Sequence, residues 1–198
     1  MSILTQAIFS AAQTLPEGGI LSPKEFLHLA SRAAIDQAMA RLTKEGRLLR
    51  VARGAYVAPV VGKFGSRAPS TESVVMALEK MGGETIVANG AYEANALGLT
   101  TQVPTREVFV TTGPTRTLHL GKRVIELKHG PHWQIALGKR PAGKAVRALS
   151  WLGAEQISPA LSILRAKLPR AEWQAIHAAR AALPSWMALA VSHESAHV

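Results

Sequence analysis

Apolar residues recur at helical spacing from the start of the chain. Ile3, Leu4, Ala7, Ile8 and Ala11 fall on one stripe and predict a first helix of about ten residues, broken by Pro16 and the pair Gly18-Gly19. Ser22-Pro23-Lys24-Glu25 is a helix-start signature: Ser22 can cap, Pro23 fits the first helical position, and Glu25 can close a capping box. A further helix is predicted from about Ser31. Its apolar residues Ile35, Ala38, Met39 and Leu42 sit at i, i+3, i+4 and i+7, and Gly46 ends it. Arg47 to Pro59 then reads as two short β-prone runs around Arg53-Gly54, a hairpin. Helix, tight turn, helix and an arginine-bearing hairpin is the order of a winged helix-turn-helix, assigned to residues 1–60.

The pattern changes after Pro59 to Pro69, a segment with two prolines and two glycines, which places a linker at residues 61–69. Val74, Val75, Leu78 and Met81 predict a helix ending at Gly82-Gly83. Thr85 to Ala88 is β-prone and stops at Asn89-Gly90; a short helix with Ala91, Ala94 and Leu97 ends at Gly98. Arg106 to Lys128 reads as three strands, broken at Gly113-Pro114 and Gly121-Lys122. Beyond Pro141 the periodicity is helical throughout, with segments around Ala145/Val146/Leu149, Leu161/Leu164/Leu168, Trp173/Ile176/Arg180 and Trp186-Met187. Residues 70–198 are thus expected to form a mixed α+β domain with a helical C-terminal half. The fold class is α+β.

Composition narrows the function classes. At 198 residues, 47% hydrophobic and 18% charged, the chain has the material for a packed core and is not a disordered tail. Without cysteine it has neither a disulfide framework nor a thiolate metal site, which suits a reducing cytoplasm. Apolar runs are short, and Met1 to Gln6 lacks the basic segment of a signal peptide, so a cytoplasmic location and no membrane partner are expected. The formal charge of +10 favours a polyanionic partner. That charge is unevenly spread: Arg41, Lys44, Arg47, Arg50, Arg53, Lys63 and Arg67 face only Glu45 between residues 41 and 67.

Candidate contacts to double-stranded DNA follow from the helix–hairpin unit. With Ile35, Ala38, Met39 and Leu42 facing inward, the same helix turns Arg32, Ala33, Asp36, Gln37, Arg41 and Lys44 outward. Recognition helices read base edges from their N-terminal half, which makes Ser31, Arg32, Ala33 and Gln37 the candidates there. Arg32 suits guanine O6/N7 and Gln37 suits adenine. Arg41 and Lys44 lie further along, where phosphate contacts add affinity without reading sequence. Arg50 and Arg53 lie in the hairpin, where arginines enter the minor groove or brace the backbone. The alternative is a protein-contact module whose arginines are a solvated face.

A second basic run comprises Arg116, Lys122, Arg123, Lys128, Lys139, Arg140, Lys144 and Arg147 against Glu126. It reads equally as further polyanion contacts, with Lys63, Arg67, Arg116, Lys122 and Arg123 the named candidates, or as a sheet edge protected by charge. His193-Glu194-Ser195-Ala196-His197 matches the H-E-x-x-H zinc pattern but stands against the chain end with no third ligand in view, and no metal is expected there. His129-Gly130-Pro131-His132, with His119 nearby, spans a turn and has no cysteine to join it, so it too is read as metal-free. Thr111 to Arg116 lacks the spacing of a phosphate loop. No catalytic set and no cofactor motif stand out.

The stretches Ala38 to Gly46 and Arg50 to Tyr56, together with Ala96-Leu97-Gly98-Leu99-Thr100-Thr101-Gln102-Val103-Pro104 and Leu183-Pro184-Ser185-Trp186-Met187, resemble AbiEi-type antitoxins of type IV toxin–antitoxin systems. The resemblance spans nearly the whole chain. It implies a transcriptional repressor that binds inverted repeats in its own promoter and counters a nucleotidyltransferase-like toxin without a stable complex. It also implies that the N-terminal domain binds DNA and the C-terminal domain carries the antitoxin action. The residues alone lead to a sequence-specific DNA binder with an accessory α+β domain. The rival reading is an RNA- or nucleotide-handling enzyme whose winged helix positions substrate; the paired carboxylates that would favour it are missing.

Overall fold

The computed structural model describes residues 2–63 and 65–195. They form a mixed α+β structure that groups into two compact units. One takes the chain up to Glu84 plus Arg116–Glu126; the other takes Thr85–Thr115 and the chain from Leu127 onward. This grouping differs from the expected 1–60, 61–69 and 70–198 division. The stretch expected to be a linker carries a short hairpin, and Glu17 accepts hydrogen bonds from Arg67 and from the Ser70 backbone N–H, which tie down its C-terminal end.

In the first unit, α1 (Ile3–Thr14) is capped by Ser2, whose hydroxyl accepts from the Thr5 N–H, and it buries Ile8 and Ala12. The helix predicted from Ser22 is only a single 3-10 turn, Pro23–Phe26. Its capping box is formed as predicted, with the Ser22 N–H donating to Glu25 Oε1 at 2.7 Å. A second cap at Ser31 leaves too few residues between the two starts for a helix to elongate past its costly nucleus. Phe26 is buried and anchors the turn, while Leu27 and Leu29 stay exposed.

From Ser31 runs α2 (Arg32–Lys44), which buries the four predicted residues Ile35, Ala38, Met39 and Leu42. The chain continues into the antiparallel pair β1 (Leu49–Ala52) and β2 (Ala55–Val57), in register at Leu49↔Val57 and Arg50↔Tyr56 with a bulge before Ala52↔Ala55. Gly54 closes that hairpin at φ +73°, a left-handed turn conformation in which a side chain would be strained. Leu21 extends the pairing, exchanging backbone hydrogen bonds with Tyr56 at 2.7 and 3.0 Å. Ile8, Leu21, Ile35, Met39, Leu42 and Leu48 make the core beneath these elements. Burying a side chain of this size contributes about 1.5–3 kcal/mol each.

The same unit holds the exposed hairpin β3 (Val60–Gly62) and β4 (Gly65–Arg67), the helix α3 (Thr71–Gly82), and β7 (Arg116–Leu120) with the first part of β8 (Arg123–His129). Arg123 fastens that last pair by donating to Thr71 Oγ1 and to the Pro69 carbonyl. Along β7 the side chains alternate, with Leu118 and Leu120 buried and Thr117 and His119 exposed, the period-two pattern of a half-buried strand.

The second unit pairs β5 (Ile86–Ala88) antiparallel to β6 (Glu107–Thr111), with Ile86↔Thr111, Val87↔Val110 and Ala88↔Phe109, and the end of β8 flanks β6. Between β5 and β6 lies α4 (Gly90–Ala96), packed closely on α6 (Pro141–Leu152). A Cβ at Gly90 would stand 2.3 Å from the Arg147 carbonyl oxygen, so the approach requires glycine. The turn α5 (His132–Ile135) precedes α6, and α7 (Ile157–Lys167), α8 (Arg170–Ala179) and α9 (Ser185–Ser195) complete the helical half that the periodicity predicts. Val146, Leu149, Leu161, Leu164, Ile176 and Met187 are buried in its core.

Candidate nucleic-acid interface

The outer face of α2 is polar because its inner face is committed to the core. Ser31, Arg32, Ala33, Asp36, Gln37, Arg41 and Lys44 are all exposed. Two of the expected readers are already engaged. The Ser31 hydroxyl caps the helix by accepting from the Ala34 N–H, and Arg32 Nε donates to both Asp36 oxygens at 3.0 and 2.9 Å. This i,i+4 pair is half exposed on both sides. Such a contact is worth only a few tenths of a kcal/mol, so a better acceptor can displace it.

The hairpin arginines face a groove on the same unit. Arg50 and Arg53, both exposed, line it from β1 and its turn, while Arg116, Thr117 and His119 line it from β7; its volume is about 550 Å³. Three arginines and a histidine therefore line one open cleft. The Arg116 guanidinium is engaged by Glu84, to which it donates two hydrogen bonds. Thr117 and His119 were not among the expected contacts. The alternation around Leu118 and Leu120 was the available signal, since it turns both to the surface.

The remaining basic candidates divide. Lys63 and Lys122 are exposed. Arg67 is bound to Glu17, with Nη1 to Oε1 at 3.0 Å, and Arg123 braces Thr71 and Pro69. These two guanidinium groups hold the unit together before anything else. Arg47 similarly lies over the Phe9 ring at 4.8 Å. The basic run from Arg116 to Arg147 is not a single surface. Arg147 is buried at 1% exposure and donates to Glu93 Oε1 at 2.8 Å, and Arg140 is clamped to Glu172. A core position leaves Arg147 no access to a polyanion, which corrects its place in the run.

Among the described residues, no group of three or more His, Asp or Glu side chains gathers as a metal site would require. His193 is exposed on α9, and His197, the other histidine of the H-E-x-x-H pattern, lies outside the described residues. No helix among the described residues is long and apolar enough to cross a membrane.

Comparison with known proteins adds a family to this geometry. No curated protein and no solved structure matches the chain. A family profile matches residues 7–169, from α1 to just past α7, and so includes parts of both units. The chain belongs to that family, described as a family of unknown function (DUF6088).

Proposed function

We propose that the chain is a sequence-specific DNA-binding transcriptional repressor in which residues 23–57 act as a winged helix-turn-helix. The 3-10 turn and α2 are the helical pair and β1–β2 is the wing. The observation that carries this reading is the cleft between β1 and β7, lined by Arg50, Arg53 and Arg116, on the unit whose helix α2 presents Arg32, Gln37, Arg41 and Lys44 outward. In this reading α2 supplies base contacts from Arg32 and Gln37, and the cleft grips the phosphate backbone. The resemblance to AbiEi-type antitoxins supports a finer proposal. The repressor acts on inverted repeats in its own promoter and, through its second unit, counters a nucleotidyltransferase-like toxin without a stable complex.

The test is a set of binding titrations of the full chain against its own promoter duplex and a scrambled duplex at several salt concentrations. The Arg50→Ala/Arg53→Ala variant should bind both duplexes more weakly, and its salt slope should fall by about one unit per lost phosphate contact. Wild-type protein that shifts neither duplex at low salt refutes the proposal. An unchanged slope in the variant removes the wing from the interface.

A further inference from the structure

The second unit carries a cleft of about 400 Å³ that the proposed DNA interface does not use. Its walls differ in kind from those of the arginine groove. Val108 and Val110 contribute apolar side chains to its lining, and Trp151, 42% exposed at the end of α6, contributes an aromatic one. Lys128 and His129 stand on the rim, both exposed. Polar side chains complete the lining: the Asn89 carbonyl oxygen is fixed by the Tyr92 N–H, which leaves its amide group as a donor, and Gln134 donates to Ser150 at 3.0 Å.

The rim is held in place. His129 Nδ1 lies 2.9 Å from the Gly113 carbonyl oxygen. A carbonyl only accepts, so Nδ1 carries the hydrogen and Nε2 is the free edge of the ring. The His129 backbone N–H is fixed in turn on Thr115 Oγ1 at 2.9 Å. Below the cleft lies Arg147, a lining residue that is itself buried. It donates to Glu93 and to the Gln134 and Gly138 carbonyls, while its Nε–H has no acceptor among the described residues. A buried donor without an acceptor is unusual, and here it belongs to a residue that lines the cleft.

An aromatic side chain, apolar side chains, amide groups and two basic side chains on a rim, in a space of this size, match a ligand with a planar ring at one end and an anion at the other. We infer that this cleft binds a free nucleoside monophosphate, with the base against Trp151 and the phosphate toward Lys128 and His129. No bond is made or broken; the site is for binding. It lies on residues of the second unit and does not depend on the DNA reading.

The experiment titrates AMP, GMP, CMP and UMP into the full chain, following heat and tryptophan fluorescence, with adenosine, inorganic phosphate and a short single-stranded oligonucleotide as separate arms. At least one nucleoside monophosphate should bind saturably and more tightly than adenosine, phosphate or the oligonucleotide. Trp151→Ala should weaken that binding about tenfold or more, since a base–aromatic stack is removed. Trp151→Phe, which keeps a flat face, should retain most of it, and Lys128→Ala should weaken it while leaving adenosine binding unchanged. The Arg50→Ala/Arg53→Ala variant should bind the nucleotide like wild type, which separates this site from the DNA proposal. The inference is overturned if no nucleoside monophosphate binds saturably to folded protein, if phosphate or the oligonucleotide binds as tightly, or if either Trp151→Ala or Lys128→Ala leaves binding untouched.

Discussion

Arg32 is the side chain through which base reading would run, and its Nε is occupied by Asp36. In the proposed interface the pair acts as a latch: the guanidinium leaves a half-exposed carboxylate for guanine and gains a bidentate contact worth about 1–3 kcal/mol of discrimination. Arg32→Ala should therefore lower affinity for the promoter duplex far more than for a scrambled one. Asp36→Ala should raise affinity for both, because a negative charge beside the phosphates is gone. Fluorescence anisotropy on the two duplexes checks both variants, and equal losses for Arg32→Ala would make it a phosphate contact only. Two other carboxylates report on pH. Hydrogen bonds from Arg67 and from the Ser70 N–H hold Glu17 below the usual carboxylate range, and Arg140 with the Ala142 N–H does the same for Glu172. A depressed folded-state value stabilises the protein above the unfolded value of about 4.3, and that contribution is lost as pH falls through the folded value. The Glu17→Gln/Glu172→Gln variant should melt lower than wild type at neutral pH and lose less on acidification below about 4.3. Melting curves at pH 7 and pH 3.5 that shift in parallel for the two proteins would show that neither carboxylate matters.

The elements that were legible in the sequence are those whose period and punctuation agree. The stripe Ile35, Ala38, Met39 and Leu42 lies buried along α2, and Gly113-Pro114 and Gly121-Lys122 separate β6, β7 and β8 where the turn residues stand. The Ser22 signature misled about length, because a capping box fixes where a helix starts and says nothing of how far tertiary packing lets it run. The role of Arg147 was hidden for a different reason. Its partner Glu93 is 54 residues away, and α4 reads from sequence only as a short alanine-rich helix. Together the two form a buried ion pair between α4 and α6, at 1% and 3% side-chain exposure. Removing one partner of such a pair strands a charge in the core and costs about 3–5 kcal/mol, whereas replacing both by apolar side chains of similar volume is close to neutral. Arg147→Ala should accordingly lower the urea midpoint sharply, and Arg147→Met/Glu93→Leu should recover most of the loss. A double variant no more stable than the single would mean that the carbonyl contacts of Arg147 matter more than its charge.

At the scale of the molecule the units are interleaved along the chain, since Arg116–Glu126 belongs with the residues up to Glu84 while the chain on either side of it belongs to the second unit. Local periodicity cannot reveal this. It marks 116–126 as strands but not the unit they complete, and the stretch at 61–69 resembles a boundary although it forms a hairpin whose last residue, Arg67, is tied to Glu17. The consequence concerns folding. Leu118, Leu120 and Ile125 are fully buried, and Arg123 is the brace that reaches back to Thr71 and Pro69. A fragment ending at Glu84 keeps α1, α2 and α3 but lacks that hairpin, leaving the faces it covers open to water. Three missing buried aliphatic side chains forgo about 5–9 kcal/mol of transfer free energy, comparable to the whole stability of a small domain. The fragment should therefore show helical circular dichroism with a broad, poorly cooperative melt, and the full chain should melt sharply. A fragment of residues 2–84 that unfolds as cooperatively as the full chain, at a similar temperature, would show that the hairpin is an accessory and not part of the unit's core.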